Sequence, residues 1–142
     1  MTLQEVLARI PYLKWHHLEV DTRGPAVRVQ LPLIEAVTNH VGIVHAGALY
    51  TTAETAAGVA AWGVVPGDAA YVLLRDAEVR YRRRAESAVI AEATIDGADA
   101  EQARAEFART ARGDVSCTVT ATDTDGTTVF EGTFRYALRP RS

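Results

Sequence analysis

One carboxylate stands alone in the most weakly charged part of this chain. Residues 36–67 contain a single Asp, Glu, Lys or Arg, which is Glu54, although 23% of the whole sequence is charged. Residues 46–62 are rich in alanine, a composition that predicts a helix able to pack closely on every side. A carboxylate on a buried helix is costly without a partner, since burial disfavours its charged form. Glu54 is therefore a candidate functional residue, because carboxylates in such surroundings collect at functional sites. The alternatives are a solvated residue at the helix rim and a hydrogen-bonded structural carboxylate.

The residues at the start of this predicted helix could stabilise a negative oxygen. The first turn of a helix has unpaired N–H groups and the positive end of the dipole. Amides near Gly47 could therefore bind the oxygen of a carbonyl under attack. His45 would orient this turn or contact a substrate, and a hydrogen-bonded helix cap is the favoured alternative. Asn39 is either a turn residue or a donor to a substrate or to an attacking water.

The spacing between these groups constrains how they can cooperate. Along a helix axis, Glu54 lies about 10 Å from the amide of Gly47. A single reacting carbon cannot touch both groups in the same chain. If both serve one reaction, they come from different subunits, and the site lies across the two-fold interface of an obligate dimer.

The rest of the pattern predicts an α+β protein with an antiparallel sheet. Thr2 and Glu5 form a capping box at the start of a short helix that Pro11 ends. A further short helix is predicted over residues 100–111, and a frayed tail over 139–142. Apolar alternation and turn residues predict strands over 15–20, 26–31, 70–82, 88–95, 115–122 and 127–138. Because the strands surround one central helix in the chain, we expect an antiparallel sheet.

Composition excludes several classes of protein. The 142 residues fit a single domain over 1–142, and the formal net charge of −3 disfavours a general nucleic-acid binder. The single cysteine, Cys117, excludes an intrachain disulfide framework and fits a cytoplasmic location. No stretch reaches the roughly 18 apolar residues of a membrane span, and the N-terminus lacks the pattern of a secretory signal. His16 and His17 have no third ligand at a recognisable spacing, so no metal site is predicted.

The segment 39–54 resembles the active-site stretch of hot-dog-fold acyl-CoA thioesterases, especially the phenylacetate-pathway type. That pattern is an Asn, a His-Gly-Gly beginning six residues later, and an Asp or Glu nine residues after the His. This chain has Asn39, His45-Ala46-Gly47 and Glu54 at both spacings. The resemblance covers about residues 15–138. It implies a hot-dog fold, in which an antiparallel β-sheet wraps around a long central helix.

The resemblance also implies a reaction and a role for each residue. The substrate would be an acyl-CoA or acyl-pantetheine thioester, hydrolysed to a free acid and a thiol without a metal or redox cofactor. Glu54 would be the general base or the nucleophile, and Asn39 would position water or substrate. His45 and the amides around Gly47 would polarise the carbonyl from the other subunit of a homodimer or of a dimer of dimers. Ala46 replaces the first glycine after the His, keeps its N–H and would lie against the substrate.

A dense group of arginines follows the long predicted strand 70–82. Arg80, Arg82, Arg83 and Arg84 are candidates for binding the phosphates of coenzyme A, because guanidinium groups suit phosphate geometry. The alternative is a solvated strand end, or pairing with acidic side chains across the sheet.

Two other functions are compatible with the same fold. A non-catalytic hot-dog protein could hold an acyl-CoA or a fatty acid, with Glu54 binding a hydroxyl or amide of the ligand. A hot-dog hydratase is a third possibility, but its polar hydratase stretch is not found in this sequence.

Overall fold

The chain forms a six-stranded antiparallel sheet with its longest helix across one face. The computed structural model describes residues 1–65 and 67–141. Pro66, at the end of the weakly charged segment, and Ser142, the last residue of the predicted tail, lie outside the described residues. The helices are α1 (Leu3–Ala8), α2 (Ala46–Trp62) and α3 (Gly97–Thr110), with short 3-10 turns at Pro11–Leu13 and Glu35–Val37. The strands are β1 (Glu19–Asp21), β2 (Val27–Leu31), β3 (Ala70–Tyr81), β4 (Val89–Thr94), β5 (Gly113–Thr122) and β6 (Thr128–Pro140).

The order of the strands places β3 at one edge of the sheet. The order is β1-β2-β4-β5-β6-β3, and every neighbouring pair is antiparallel. Within the described residues β3 pairs only with β6, so its other edge keeps free backbone groups over 12 residues. The predicted α+β architecture, a sheet around a long central helix, is confirmed.

The central helix has the bounds that the sequence predicts. It packs against β2, β4 and β5, and four of its alanines have no exposed surface: Ala53, Ala56, Ala57 and Ala61. Small side chains allow this close approach of helix and sheet. The buried hydroxyls of Thr51, Thr52 and Thr55 donate to the carbonyls four residues earlier, at 2.7–2.9 Å. These polar groups are therefore satisfied within the helix itself.

The N-terminal segment folds over this helix with one departure from expectation. The capping box of Thr2 and Glu5 is present at the start of α1. The predicted strand over residues 15–20 is wrong at its start, because β1 begins only at Glu19. His17 has a φ of 53°, in the left-handed region, and this conformation cannot continue an extended strand.

Three boundaries in the second half of the chain differ from expectation by two residues or more: the start of α3, the start of β5, which is Gly113 rather than residue 115, and the end of β6. Helix α3 begins at Gly97, three residues before the predicted start, because the Asp96 carboxylate caps it by accepting from the Ala98 N–H at 2.8 Å. Strand β6 continues to Pro140, so the frayed tail is wrong for residues 139–140. Ladder pairing of these residues with the start of β3 extends the strand.

Candidate active site

Glu54 lies on the wall of a cavity beside the central helix. This Glu54 cavity has a volume of about 440 Å³ and is enclosed by α1, the turn Pro11–Leu13, α2 and the start of β3. Its lining is mainly apolar and includes Leu3, Val6, Leu7, Ile10, Val59 and Trp62. The Glu54 side chain is half-buried, neither fully solvated nor sealed in the core. A carboxylate facing an apolar chamber can meet a substrate away from bulk water.

Tyr136 on β6 fixes one oxygen of this carboxylate. Its hydroxyl lies 2.6 Å from Glu54 Oε2, to which it donates, and 3.0 Å from the Glu54 carbonyl oxygen. Tyr136 is 2% exposed. Burial raises the pKa of its phenol well above the ordinary value, and the negative charge of Glu54 raises it further. The hydroxyl is thus a permanent donor, while Glu54 Oε1 has no partner among the residues that the structure describes.

Other residues with hydroxyl groups line the same cavity, among them Tyr12, Tyr50 and Thr51. Tyr50 is half-buried, with its ring packed edge-on against Phe134 at a centroid distance of 5.5 Å. Burial raises the pKa of Tyr50, and the negative charge of Glu54 adds to the effect. The Tyr12 and Thr51 hydroxyls lie 3.2 Å apart on the same wall. Along α2 itself, the lining residues before Glu54 therefore carry hydroxyls, whereas Gly58, Val59 and Trp62 carry none.

His45 is the N-cap of α2, which confirms the helix-cap interpretation. Its Nδ1 accepts from the Gly47 N–H at 2.8 Å, so in the neutral ring the proton is on Nε2. The Gly47 amide is thus already engaged within the chain. Ala46, the first residue of the helix, is exposed, and the structure records no partner for its N–H in the described part of the chain. Ala46 offers the available amide at the positive end of the helix.

Asn39 closes the loop that leads into the helix. Its Oδ1 accepts from the N–H groups of Val41 and Ile43 at 3.0 and 3.2 Å, so the interpretation as a turn residue is confirmed. Its amide NH₂ has no recorded partner among residues 1–65 and 67–141. A role as a donor to substrate or water stays a prediction.

A second cleft lies at the start of α2. This Asn39 cleft has a volume of about 390 Å³ and brings together five of the predicted site residues: Asn39, Ala46, Arg82, Arg83 and Arg84. Tyr81 also lines it and donates its hydroxyl to the Ala46 carbonyl at 3.0 Å. This bond fixes the first turn of the helix against the end of β3.

The arginines divide between two surfaces. Arg82 is paired with Glu131 at 2.8 Å, whereas Arg83 and Arg84 form no ion pair with a described residue and are exposed beside the Asn39 cleft. Arg80 lies with Glu78 and Arg82 along a groove between β3, β5 and β6 that does not include Asn39. The structure thus places Arg80 apart from the group that shares the cleft.

Glu54 and the start of its own helix face different cavities. Ala46 and Asn39 line the Asn39 cleft, and neither lines the Glu54 cavity. This separation agrees with the spacing of about 10 Å along the helix. Within one chain, Glu54 therefore lies apart from Asn39 and Ala46.

Tyr136 is the residue that sequence reasoning missed. It is 82 positions from Glu54 in the chain, and no short motif connects the two. The available signal was the alternation of β6, which places a phenol hydroxyl on the buried face where a polar partner is required.

The described residues contain neither a metal-binding cluster nor a helix that could span a membrane. No group of three or more His, Cys, Asp or Glu side chains there is arranged to hold a metal ion. In the same part of the chain, no helix has the length and apolar character needed to cross a membrane.

Comparison with known proteins gives a family and a set of similar folds. The model of a family described as a domain of unknown function, DUF4442, matches residues 3–138, and the chain belongs to that family. A Pseudomonas aeruginosa protein, described as of unknown function and a probable thioesterase, is 26% identical with a TM-score of 0.84, covering 97% of this chain and 93% of that chain. A Haemophilus influenzae thioesterase is 14% identical with a TM-score of 0.78, covering 99% of this chain and 92% of that chain. No curated protein matches the chain. These structures confirm the hot-dog fold.

Proposed function

We propose that this member of the DUF4442 family is a thioesterase that hydrolyses an acyl-CoA, or another acyl-pantetheine thioester, to a free acid and a thiol. The observation that carries the proposal is the state of Glu54. One carboxylate oxygen is held by Tyr136, and the other has no partner among the described residues and lies on the wall of an apolar cavity. The 26% identical Pseudomonas protein described as a probable thioesterase supports the same class of reaction.

Glu54 Oε1 acts as the general base in this mechanism. It takes a proton from water while the water oxygen bonds to the thioester carbon and the carbonyl becomes an oxyanion. Collapse of this intermediate breaks the C–S bond, and the thiolate takes the proton back from Glu54. If Glu54 attacked the carbon itself, it would expel the thiolate and form an anhydride, and a single turnover in ¹⁸O-water would label Glu54 when water opens this anhydride at the Glu54 carboxyl carbon.

The oxyanion is stabilised by the start of a neighbouring α2. The Ala46 N–H is the free amide there, at the positive end of a 17-residue helix, and the Nε2–H of His45 is close in sequence. Within one chain these groups lie too far from Glu54 to act on the same carbon. The oxyanion donors for a given Glu54 therefore come from a second copy of the chain. The exposed edge of β3, with Leu73 53% and Tyr81 48% exposed, supports a homodimer, alone or as half of a dimer of dimers.

The Asn39 cleft binds the thiol portion of the substrate. Asn39 donates through its free amide group, and the exposed guanidinium of Arg83 pairs with a phosphate of coenzyme A. Arg82 contributes positive charge to the cleft, although its guanidinium is already paired with Glu131. The spacing of Asn39, His45 and Glu54 supports the phenylacetate-pathway type within the hot-dog thioesterases.

A thiol-release assay over a panel of acyl-CoA substrates tests this function. Glu54→Gln keeps the size of the side chain and removes the base, so we expect kcat to fall about 10²–10⁴-fold while the oligomer persists. Glu35→Gln, on an exposed turn, is the matched control. Full activity in Glu54→Gln would refute the assigned base. Ligand-induced thermal stabilisation without thiol release from any substrate would indicate the non-catalytic binding protein instead.

Ala46→Pro tests the proposed oxyanion donor separately. Proline is tolerated at the first position of a helix, and His45 already has the extended conformation that precedes proline, with φ −63° and ψ 139°. The substitution therefore removes one N–H with little effect on the fold. We expect kcat to fall about 10²–10³-fold. Gly97→Pro makes the same change at the start of α3, after Asp96 with φ −56° and ψ 130°, and controls for proline at a helix start.

A further inference from the structure

Trp62 lies between the Glu54 cavity and a second apolar cavity. The second cavity, here the Ala93 cavity, has a volume of about 430 Å³ and lies between the end of α2, the end of β4 and α3. Leu3, Val59 and Trp62 line both cavities. Trp62 has the largest of these three side chains.

No hydrogen bond anchors the indole in this position. Its Nε1 is buried and has no partner among the described residues. An indole N–H usually finds an acceptor when it is buried, because leaving it unpaired is unfavourable. The ring is therefore held by packing alone, at the last residue of α2.

The residues of α2 that line the Glu54 cavity change from hydroxyl-bearing to apolar along the helix. Along α2, the lining residues on the N-terminal side of Glu54 are Tyr50 and Thr51, which carry hydroxyls. On the C-terminal side, after Thr55, they are Gly58, Val59 and Trp62, and Leu3 of α1 lies against this end. A thioester group suits the hydroxyl end and a hydrocarbon chain suits the apolar end.

We infer that the Glu54 cavity holds a straight-chain apolar acyl group and that Trp62 sets its maximum length. This inference rests on the proposed thioesterase function, which places the thioester carbon at Glu54. Eight residues of helix separate Glu54 from Trp62, a distance of about 12 Å along the axis. An extended chain advances about 1.2 Å per bond, since a residue of three backbone bonds spans at most about 3.6 Å. The space therefore takes a chain of about ten carbon atoms, a medium-length acyl group.

Removal of the indole should join the two cavities. In the unsubstituted protein we expect kcat/KM to fall at least about tenfold for chains that extend past Trp62, the minimum effect of one misfitting methylene in an apolar pocket. Trp62→Ala should raise kcat/KM for dodecanoyl- and palmitoyl-CoA by about tenfold and leave that for hexanoyl-CoA within about threefold. Trp15→Ala is the matched control, because Trp15 is 62% exposed and lines neither cavity. An unchanged chain-length profile in a folded Trp62→Ala protein would overturn the inference.

Tryptophan fluorescence gives a readout that needs no turnover and no change at Trp62. The chain contains two tryptophans, so Trp15→Phe leaves Trp62 as the sole one. Titration with free saturated fatty acids, from butyrate to palmitate, should change Trp62 emission only when the chain is long enough to reach the indole. If emission changes while no thioester is hydrolysed, the acyl site stands and the thioesterase function fails. If thioesters are hydrolysed but emission responds to no fatty acid, the function stands and the role of Trp62 is refuted.

Discussion

Loss of the Tyr136 hydroxyl should lower the activity even when the packing of the ring is kept. Tyr136→Phe keeps the buried ring and removes the donor that lies 2.6 Å from Glu54 Oε2. A hydrogen bond to a charged group is worth about 1.5–3 kcal/mol. If this bond holds Glu54 in its reactive position, its full loss corresponds to about a 10- to 100-fold fall in kcat.

Steady-state hydrolysis at neutral pH measures this fall in kcat. Thr52→Val is the matched control, because it also removes a fully buried hydroxyl. The Thr52 hydroxyl lies on α2 and donates to the Ala48 carbonyl at 2.7 Å, not to Glu54. We expect both variants to lose a similar amount of stability, about 1–3 kcal/mol, and only Tyr136→Phe to lower kcat. If kcat is the same in Tyr136→Phe as in the unsubstituted protein, the assigned positioning of Glu54 is refuted.

Two further predictions concern the core. Burial raises the pKa of the Cys117 thiol to about 12, so a disulfide reagent at pH 8 should modify it only after unfolding, and rapid reaction in the native protein would contradict this. Because the unfolded thiol releases its proton near its ordinary pKa of 9.0, the contribution of Cys117 to stability is full below that pH and decreases as the pH rises towards 12. Gly113→Ala would place a Cβ 3.0 Å from the Ala103 carbonyl oxygen of α3 and should lower the melting temperature. Gly97→Ala adds a Cβ into open space and serves as its control, so an equal melting temperature for the two variants would refute the steric explanation.

Features encoded by local pattern could be predicted from the sequence. The central helix has its predicted bounds because its composition and its polar start are local properties of residues 45–62. The sheet could be predicted because alternation continues over long segments such as β5, whose residues are buried and exposed in turn. The start of β1 could not, since the left-handed backbone of His17 is set by the packing of the N-terminal segment rather than by residue type.

The candidate site could be predicted only where its residues are close in sequence. The segment from Asn39 to Glu54 holds the predicted chemistry, and the structure places each residue at or near the start of α2 or on its face. The contact of Tyr136 with Glu54 depends on the register of β6 against the helix, which no local pattern specifies. The engagement of the Gly47 amide by His45 also depends on a side-chain rotamer, and it moves the expected oxyanion donor to Ala46.

The separation of Glu54 from Ala46 in one chain leads to a test of the whole site. If a site combines Glu54 of one subunit with the Ala46 N–H of the other, a heterodimer of Glu54→Gln and Ala46→Pro chains has one site with both changes and one site with neither. Two affinity tags on co-expressed chains isolate this heterodimer, which should recover about half of the unsubstituted activity although both parent homodimers are nearly inactive.

A second heterodimer tests whether activity returns simply because two different variant chains are combined. Glu54→Gln paired with Tyr136→Phe leaves no unchanged site, because both substitutions affect the carboxylate half of a site. Its activity should not exceed the residual level of the Tyr136→Phe protein. Absence of recovery in a verified heterodimer of Glu54→Gln and Ala46→Pro would mean that the two groups do not meet across subunits. The oxyanion would then need a donor from the Glu54 cavity itself, where Tyr50, Thr51 and Thr55 of α2 carry hydroxyls.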